Sequence, residues 1–202
     1  AMLASFRDNQ VPMARCFITR EIPGDGLRRI AAAGHEVDLW TDRLPPPRER
    51  MLDGASNADG ILCMLTDTID AELLEAAADL QVVSTMAVGC DNIDLEACAS
   101  RGVAVGNTPG VLTDATADLT LALLLALVRR LPEGIAEVRE GRWLTWEPAH
   151  LLGLELRDLT VGVIGPGRIG TAVARRCEAF GMRVVESGRP GSADPGMPLE
   201  DL

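Results

Sequence analysis

Short apolar runs alternate along the chain with stretches whose apolar positions recur every three or four residues. The runs predict strands over 14–19, 36–40, 60–65, 82–86 and 103–105, and the periodic stretches predict helices over 26–33, 48–54, 71–78 and 95–101. Three successive prolines, Pro45, Pro46 and Pro47, read as a stiff connector into the second of these helices. Strands that alternate with helices, built from apolar runs with few aromatics, predict a mainly parallel sheet covered on both faces. Residues before Met13 are polar and without pattern, so Met13 is read as the natural start, with a leader of no fold value before it.

The alternation breaks at Asn107-Thr-Pro-Gly110. A long helix over 114–130 follows, with Thr113 or Asp114 as its cap, and its run over 119–128 is read as a buried helix. A second helix over 133–140 leads to a loop carrying Trp143 and Trp146. Then comes a strand ending in a glycine turn, Gly165-Pro-Gly-Arg-Ile-Gly170, a helix running to Phe180 and a strand over 182–185. The fold class expected is therefore α/β, with two doubly wound parallel-sheet domains meeting near residue 106. The first, 13–106, is a complete flavodoxin-like unit. The second, 107–202, is an incomplete Rossmann unit, because a dinucleotide-binding sheet of this kind has about six strands. Its last residues look like a helix just starting, and the sequence reads as cut off. A sheet so short is expected to leave an edge and apolar helix faces uncovered, so the first domain should fold while the second stays loose.

Charge and cysteine content narrow the function. The formal net charge of −11 argues against a nucleic-acid-binding surface. No run of about twenty apolar residues predicts a membrane span. The five cysteines form no C-x-x-C pair and accompany no secretory signal, so they are expected to be buried free thiols in a reducing cytoplasm. Neither Cys nor His clusters at metal-ligand spacing, and no metal site is expected.

The glycine turn carries the chemistry. Gly165 permits a tight turn at a strand end, Gly167 lets backbone approach a pyrophosphate, and Gly170 lets the helix pack close to the strand. The N–H groups of a helix starting near Arg168 and Ile169 then attract phosphate. Such a turn alone is a weak signal. Here a strand precedes it, an amphipathic helix follows (Ile169, Ala172, Val173, Cys177, Phe180), and a strand returns, which together indicate dinucleotide binding.

Several motifs in order carry a family resemblance: 84–94 (Ser-Thr-Met-Ala-Val-Gly-Cys-Asp-Asn-Ile-Asp), 107–114 (Asn-Thr-Pro-Gly-Val-Leu-Thr-Asp), Gly141-Arg-Trp143 and the glycine turn. From about Met13 to the last residue the chain resembles the D-isomer-specific 2-hydroxyacid dehydrogenases. Leu62-Cys-Met-Leu65, Val111-Leu-Thr-Asp114 and the tryptophan-rich segment 143–148 make it most similar to the glyoxylate/hydroxypyruvate reductases among them. The resemblance implies that backbone N–H groups of Val88 and Gly89 grip the substrate carboxylate, which suits an anion-binding nest. Read without it, Gly89 only ends a strand. It implies that Leu65 lines the same cleft, although by its sequence alone it is an ordinary core leucine. Thr113 falls where the family contacts the cofactor near the nicotinamide, and a simple helix cap is its plain alternative. Trp143 matches a tryptophan on an arm that packs on the partner subunit and reaches its active site. A homodimer through the Trp143–Trp146 arm is thus implied, and a core or loop tryptophan is the alternative.

An NAD enzyme wants a carboxylate at the end of the second strand of this unit, to take the ribose hydroxyls. By alignment on Gly181 that position is Gly188, followed by Arg189 and Pro190. Loss of the carboxylate removes repulsion of a 2′-phosphate and a guanidinium can pair with it, so NADPH is expected over NADH. Glu186 competes, because a shift in register would make it the NAD-selecting acid. In the family a histidine gives the proton, a glutamate supports it and an arginine holds the keto acid. All three fall beyond residue 202, and neither His35 nor His150 matches the catalytic motif, so no catalytic residue is assigned. The expected activity is NADPH-dependent reduction of hydroxypyruvate or glyoxylate to the D-2-hydroxy acid. The alternatives are a phosphoglycerate, lactate or formate dehydrogenase, or a dinucleotide-binding interaction fragment without turnover.

Overall fold

The computed structural model describes residues 13–188 and 196–202. The chain divides into two compact units, Ala1–Pro109 and Gly110–Leu202.

The first unit alternates strand and helix throughout: β1 (Arg15–Ile18), α1 (Gly26–Ala32), β2 (Glu36–Leu39), α2 (Arg48–Ser56), β3 (Gly60–Cys63), α3 (Ala71–Ala76), β4 (Val82–Thr85), α4 (Leu95–Ser100) and β5 (Ala104–Gly106). All pairings are parallel and the strand order is β2-β1-β3-β4-β5, the flavodoxin-like winding. β2 sits at an edge, and its sequence Glu-Val-Asp-Leu alternates exposed and half-buried residues. β3 lies in the middle, and Ile61 and Cys63 are buried there. Helix α2 comes close to β1 because Gly54 has no side chain: a Cβ there would stand 2.7 Å from the Phe17 ring. Arg50, from the same helix, lies over that ring at 4.6 Å, a cation–π contact that also covers it from water. Asp70 and Asp94 cap α3 and α4 by accepting from the N–H groups of Leu73 (3.0 Å) and Ala97 (2.9 Å). Arg48 holds the Asp70 carboxylate at 2.6 Å and so ties the start of α2 to the start of α3.

The second unit opens on α5 (Thr113–Val128) and α6 (Leu131–Arg139), then forms β6 (Thr160–Ile164), α7 (Arg168–Ala179) and β7 (Arg183–Ser187). β6 and β7 pair in parallel, with Val163 beside Glu186 and Ile164 beside Ser187. Ala117 and Leu121 of α5 pack on Val173 and Cys177 of α7, and Arg176 bonds Asp114 (2.9 Å) and Asp118 (2.7 Å) across the same pair of helices. Residues 196–202 return along the sheet: Met197 N–H donates to Glu186 O at 2.8 Å, and Leu202 covers Gly162.

Asn107 and Thr108 bond back to the carbonyls of Val88 (2.7 Å) and Ala87 (3.0 Å), and the division between the units follows Pro109, close to the boundary expected near 106. Three expectations are corrected. Helix α5 is capped by neither Thr113 nor Asp114: it starts at Thr113, and Leu112 takes the cap position without a side-chain bond. Nor is α5 a buried helix. Its apolar residues run all round it, and Leu119, Leu123 and Leu127 are exposed while Ala117 and Leu121 alone of its residues are buried. Of the cysteines, Cys63, Cys98 and Cys177 are buried, but Cys16 and Cys90 are half-buried.

Candidate functional site

Two groups of expected site residues lie in separate units. In the first unit they stand on the loops that leave the carboxyl ends of β3 and β4, where ligands bind in open α/β sheets. A buried carboxylate organises these loops. Asp67 accepts from the Thr19 hydroxyl at the end of β1 (2.5 Å) and from Met64 N–H (2.7 Å). The Asn92 amide donates to the carbonyls of Met64 (3.1 Å) and Asp67 (2.7 Å), so the two loops are stitched together. Above them, Asn107 and Thr108 take up the carbonyls of Val88 and Ala87. With the carbonyls engaged, the N–H groups of Val88, Gly89 and Cys90 have no acceptor among the described residues. Gly89 is exposed and Val88 half-buried. This is a backbone donor set open to an anion.

Leu65 is not a core leucine. It is 68% exposed on the loop after β3, and Met86 at the end of β4 is also exposed. Beneath them, burial pushes the Cys63 thiol up to about 11, with a smaller opposing pull from the Thr85 hydroxyl. The supporting residues Asp67, Asn92 and Asn107 were missed as such by sequence reasoning. Asn92 and Asn107 sit inside the quoted motifs, but only the fold shows what they bond.

In the second unit, Gly165 has φ +84° and its N–H donates to Ser187 O at 2.8 Å, which turns the chain sharply at the end of β6. A Cβ on Gly170 would stand 2.3 Å from Gly165 O, so no other residue fits the first turn of α7 there. Gly167, by contrast, faces open space. No side chain caps α7. The N–H groups of Arg168, Ile169 and Gly170 have no acceptor among the described residues, and the first bond of the helix is from Thr171 N–H to Gly167 O at 2.8 Å. Arg168 is exposed and takes part in no ion pair among them, while Ile169 packs into the core. A bare helix N-terminus, a cation and an absent side chain at the point of approach fit a dinucleotide's phosphates.

Thr113 stands in the first turn of α5, half-buried, with its hydroxyl bonded to nothing among the described residues. Gly188 is the first residue past β7. Glu186 is in register with Val163, whose Cγ1 faces α7 near Gly170; residues paired in parallel strands share a face, so Glu186 points that way too. Arg189 and Pro190 lie outside the described residues. Trp143 and Trp146 are exposed on the arm, so Trp143 is a loop and not a core tryptophan. Glu137 anchors the arm, its carbonyl accepting from Arg142 N–H (2.9 Å) and Trp143 N–H (3.3 Å) and its carboxylate holding Arg142 (3.0 Å) and His150 (3.4 Å). That Arg142 guanidinium holds the Glu137 carboxyl below its ordinary range. His35 accepts from Ala14 N–H at 3.2 Å. Both histidines thus have local structural partners. Among the described residues no group of His, Cys, Asp or Glu could hold a metal ion, and no helix is long and apolar enough to cross a membrane.

Residues 16–188 match the family model of the D-isomer specific 2-hydroxyacid dehydrogenase catalytic domain. A glyoxylate reductase of Korarchaeum cryptofilum is 48% identical over 172 residues, covering 85% of this chain and 52% of the relative. A human glyoxylate reductase/hydroxypyruvate reductase is 47% identical over 182 residues, covering 89% and 56%. A crystal structure of a Thermus thermophilus protein superposes with a TM-score of 0.84 at 48% identity, covering 90% of this chain and 58% of that one. The chain spans about half the length of the curated relatives it matches.

Proposed function

The chain belongs to the D-isomer specific 2-hydroxyacid dehydrogenases, and on that premise we propose that the protein reduces a small 2-keto acid, hydroxypyruvate or glyoxylate, to the D-2-hydroxy acid with NADPH. The observation that carries the proposal is the turn at the start of α7, where Gly170 meets Gly165 O and three N–H groups are left for an anion. The reductase names of the relatives support the substrate class. In this reading the first unit holds substrate and the second holds the dinucleotide.

The bound nicotinamide would supply the hydride. The chain's own residues do the holding. Val88 and Gly89 donate their N–H groups to the substrate carboxylate, and Leu65 gives the cleft an apolar wall. Gly165, Gly167, Arg168, Ile169 and Gly170 cradle the pyrophosphate, and Thr113 offers its hydroxyl near the nicotinamide. Gly188 leaves room for a 2′-phosphate, and Arg189 and Pro190, next in sequence, are assigned to the cofactor by the family resemblance. None of the described residues is given the proton. Trp143 and Trp146 lie on an arm that would bind a second copy, making a homodimer in the cytoplasm.

The test is hydroxypyruvate-dependent oxidation of NADPH and NADH by the protein as it occurs in the cell, with Arg189→Ala beside it. We expect turnover with NADPH preferred, and a reversed preference in the variant. Unchanged NADPH affinity in Arg189→Ala would remove that residue from the site, and no oxidation with either keto acid would remove the activity.

A further inference from the structure

The crevice at the end of β7 holds a charge that the glycine turn does not account for. It measures about 380 Å³, and its walls include Ile164 at the end of β6, Ser187 and Gly188 at the end of β7, and Met197, Pro198 and Glu200 from the returning segment. In a sheet of this type the end of the second strand is where a carboxylate meets the ribose hydroxyls. Gly188 brings no side chain to that place. Among the described residues that line the crevice, Glu200 carries the one charged group. Glu186, two residues before Gly188, shares the α7 face with Val163, whereas Ser187, pointing the other way, lines the crevice.

We propose that Glu200 is a specificity residue for the dinucleotide, its carboxylate facing the adenosine ribose from across the crevice in place of the acid missing at Gly188. This rests on the reading of the second unit as a dinucleotide site. The returning segment is fixed where this requires: Ser187 bridges Gly196 in antiparallel fashion and Met197 N–H bonds Glu186 O at 2.8 Å. A carboxylate accepts hydrogen bonds from a ribose with free hydroxyls and repels a ribose that carries a phosphate. Glu200 therefore works against the 2′-phosphate for which Gly188 leaves room, and lowers the preference for NADPH.

The experiment is calorimetric titration of the full chain, and of Glu200→Gln and Glu186→Gln, with 5′-AMP and with 2′,5′-ADP, which differ by the one phosphate. Glu200 is exposed, so its replacement leaves the fold in place. We expect Glu200→Gln to shift the ratio of the two dissociation constants toward 2′,5′-ADP by roughly fivefold, the shift shrinking as salt is added. Glu186→Gln should leave the ratio where it was. If both nucleotides bind and Glu200→Gln leaves the ratio unchanged, the role of Glu200 falls and the dinucleotide site stands. If neither nucleotide binds the unsubstituted chain, the dinucleotide site falls and this inference with it.

Discussion

The two units leave backbone N–H groups without acceptors among the described residues by opposite means. In the first, side chains do the work: Asn107 and Thr108 occupy the carbonyls of Val88 and Ala87, while Asp67 and Asn92 lock the loop beside them. In the second, the absence of side chains does it, with Gly165 at positive φ and Gly170 in contact with Gly165 O. The surroundings differ as much. Among the described residues the first loop rests on a five-stranded sheet and a cluster of fifteen buried residues, whereas the glycine turn rests on two strands and a cluster of five. A donor set held by many long-range bonds stays formed without ligand. One held by a short helix–strand contact on a small core depends more on what binds it.

Core truncations should separate the units most clearly. Leu74 is fully buried in the larger cluster, and Leu74→Ala should cost about 3 kcal/mol in a denaturant titration that follows the first unit. Leu121→Ala removes one of the five buried residues that form the smaller cluster among the described residues. It should cost about 2 kcal/mol and abolish cooperative melting of the second unit while the first keeps its midpoint. If both variants lower one shared transition equally, the units are not independent in stability.

A smaller effect is expected at the cap of α3. Asp70→Ala should cost the first unit about 1 kcal/mol, since it frees the Leu73 N–H and leaves Arg48 without its 2.6 Å partner. Burial raises the Asp70 carboxyl, but Arg48 and the Leu73 N–H more than offset that, and its net shift is downward. A lowered folded pKa stabilises above the unfolded value and is lost as pH falls through the folded one. Wild-type chain should therefore lose stability in acid that Asp70→Ala does not lose. Parallel acid titrations of the two would contradict this.

The smallest effect is at Cys63. Its folded pKa is raised from the ordinary 9.0 to about 11, so its contribution is fully present below pH 9 and is lost as pH rises toward 11. The Cys63→Ala variant should show a flatter stability profile over that window. An identical slope would show that other groups set the alkaline limb.

The alternation of strand and helix was legible because run length and period are local properties, and each expected element in the first unit lies within two or three residues of the observed one. Burial was less legible, since it depends on what the rest of the fold brings near. Leu65 looks like a core residue in its apolar run, yet the chain turns outward just before it. The run 119–128 looks buried from composition, but only one side of α5 meets α7. Asp67 was missed altogether, because a carboxylate draws no notice in sequence when its partner Thr19 lies 48 residues away. The glycine turn was the most legible part of the candidate site: the contact that demands Gly170 is with Gly165, close by in sequence.

The direct test of this contrast is residue-resolved amide hydrogen exchange on the full chain, without and with NADPH. Deep protection is expected in β1, β3 and β4 regardless of nucleotide. Across residues 160–188 shallow protection is expected that deepens when NADPH is added, most of all from Gly165 to Thr171. Uniform protection of 160–188 at the depth of the first unit, unmoved by NADPH, would contradict the contrast between the units.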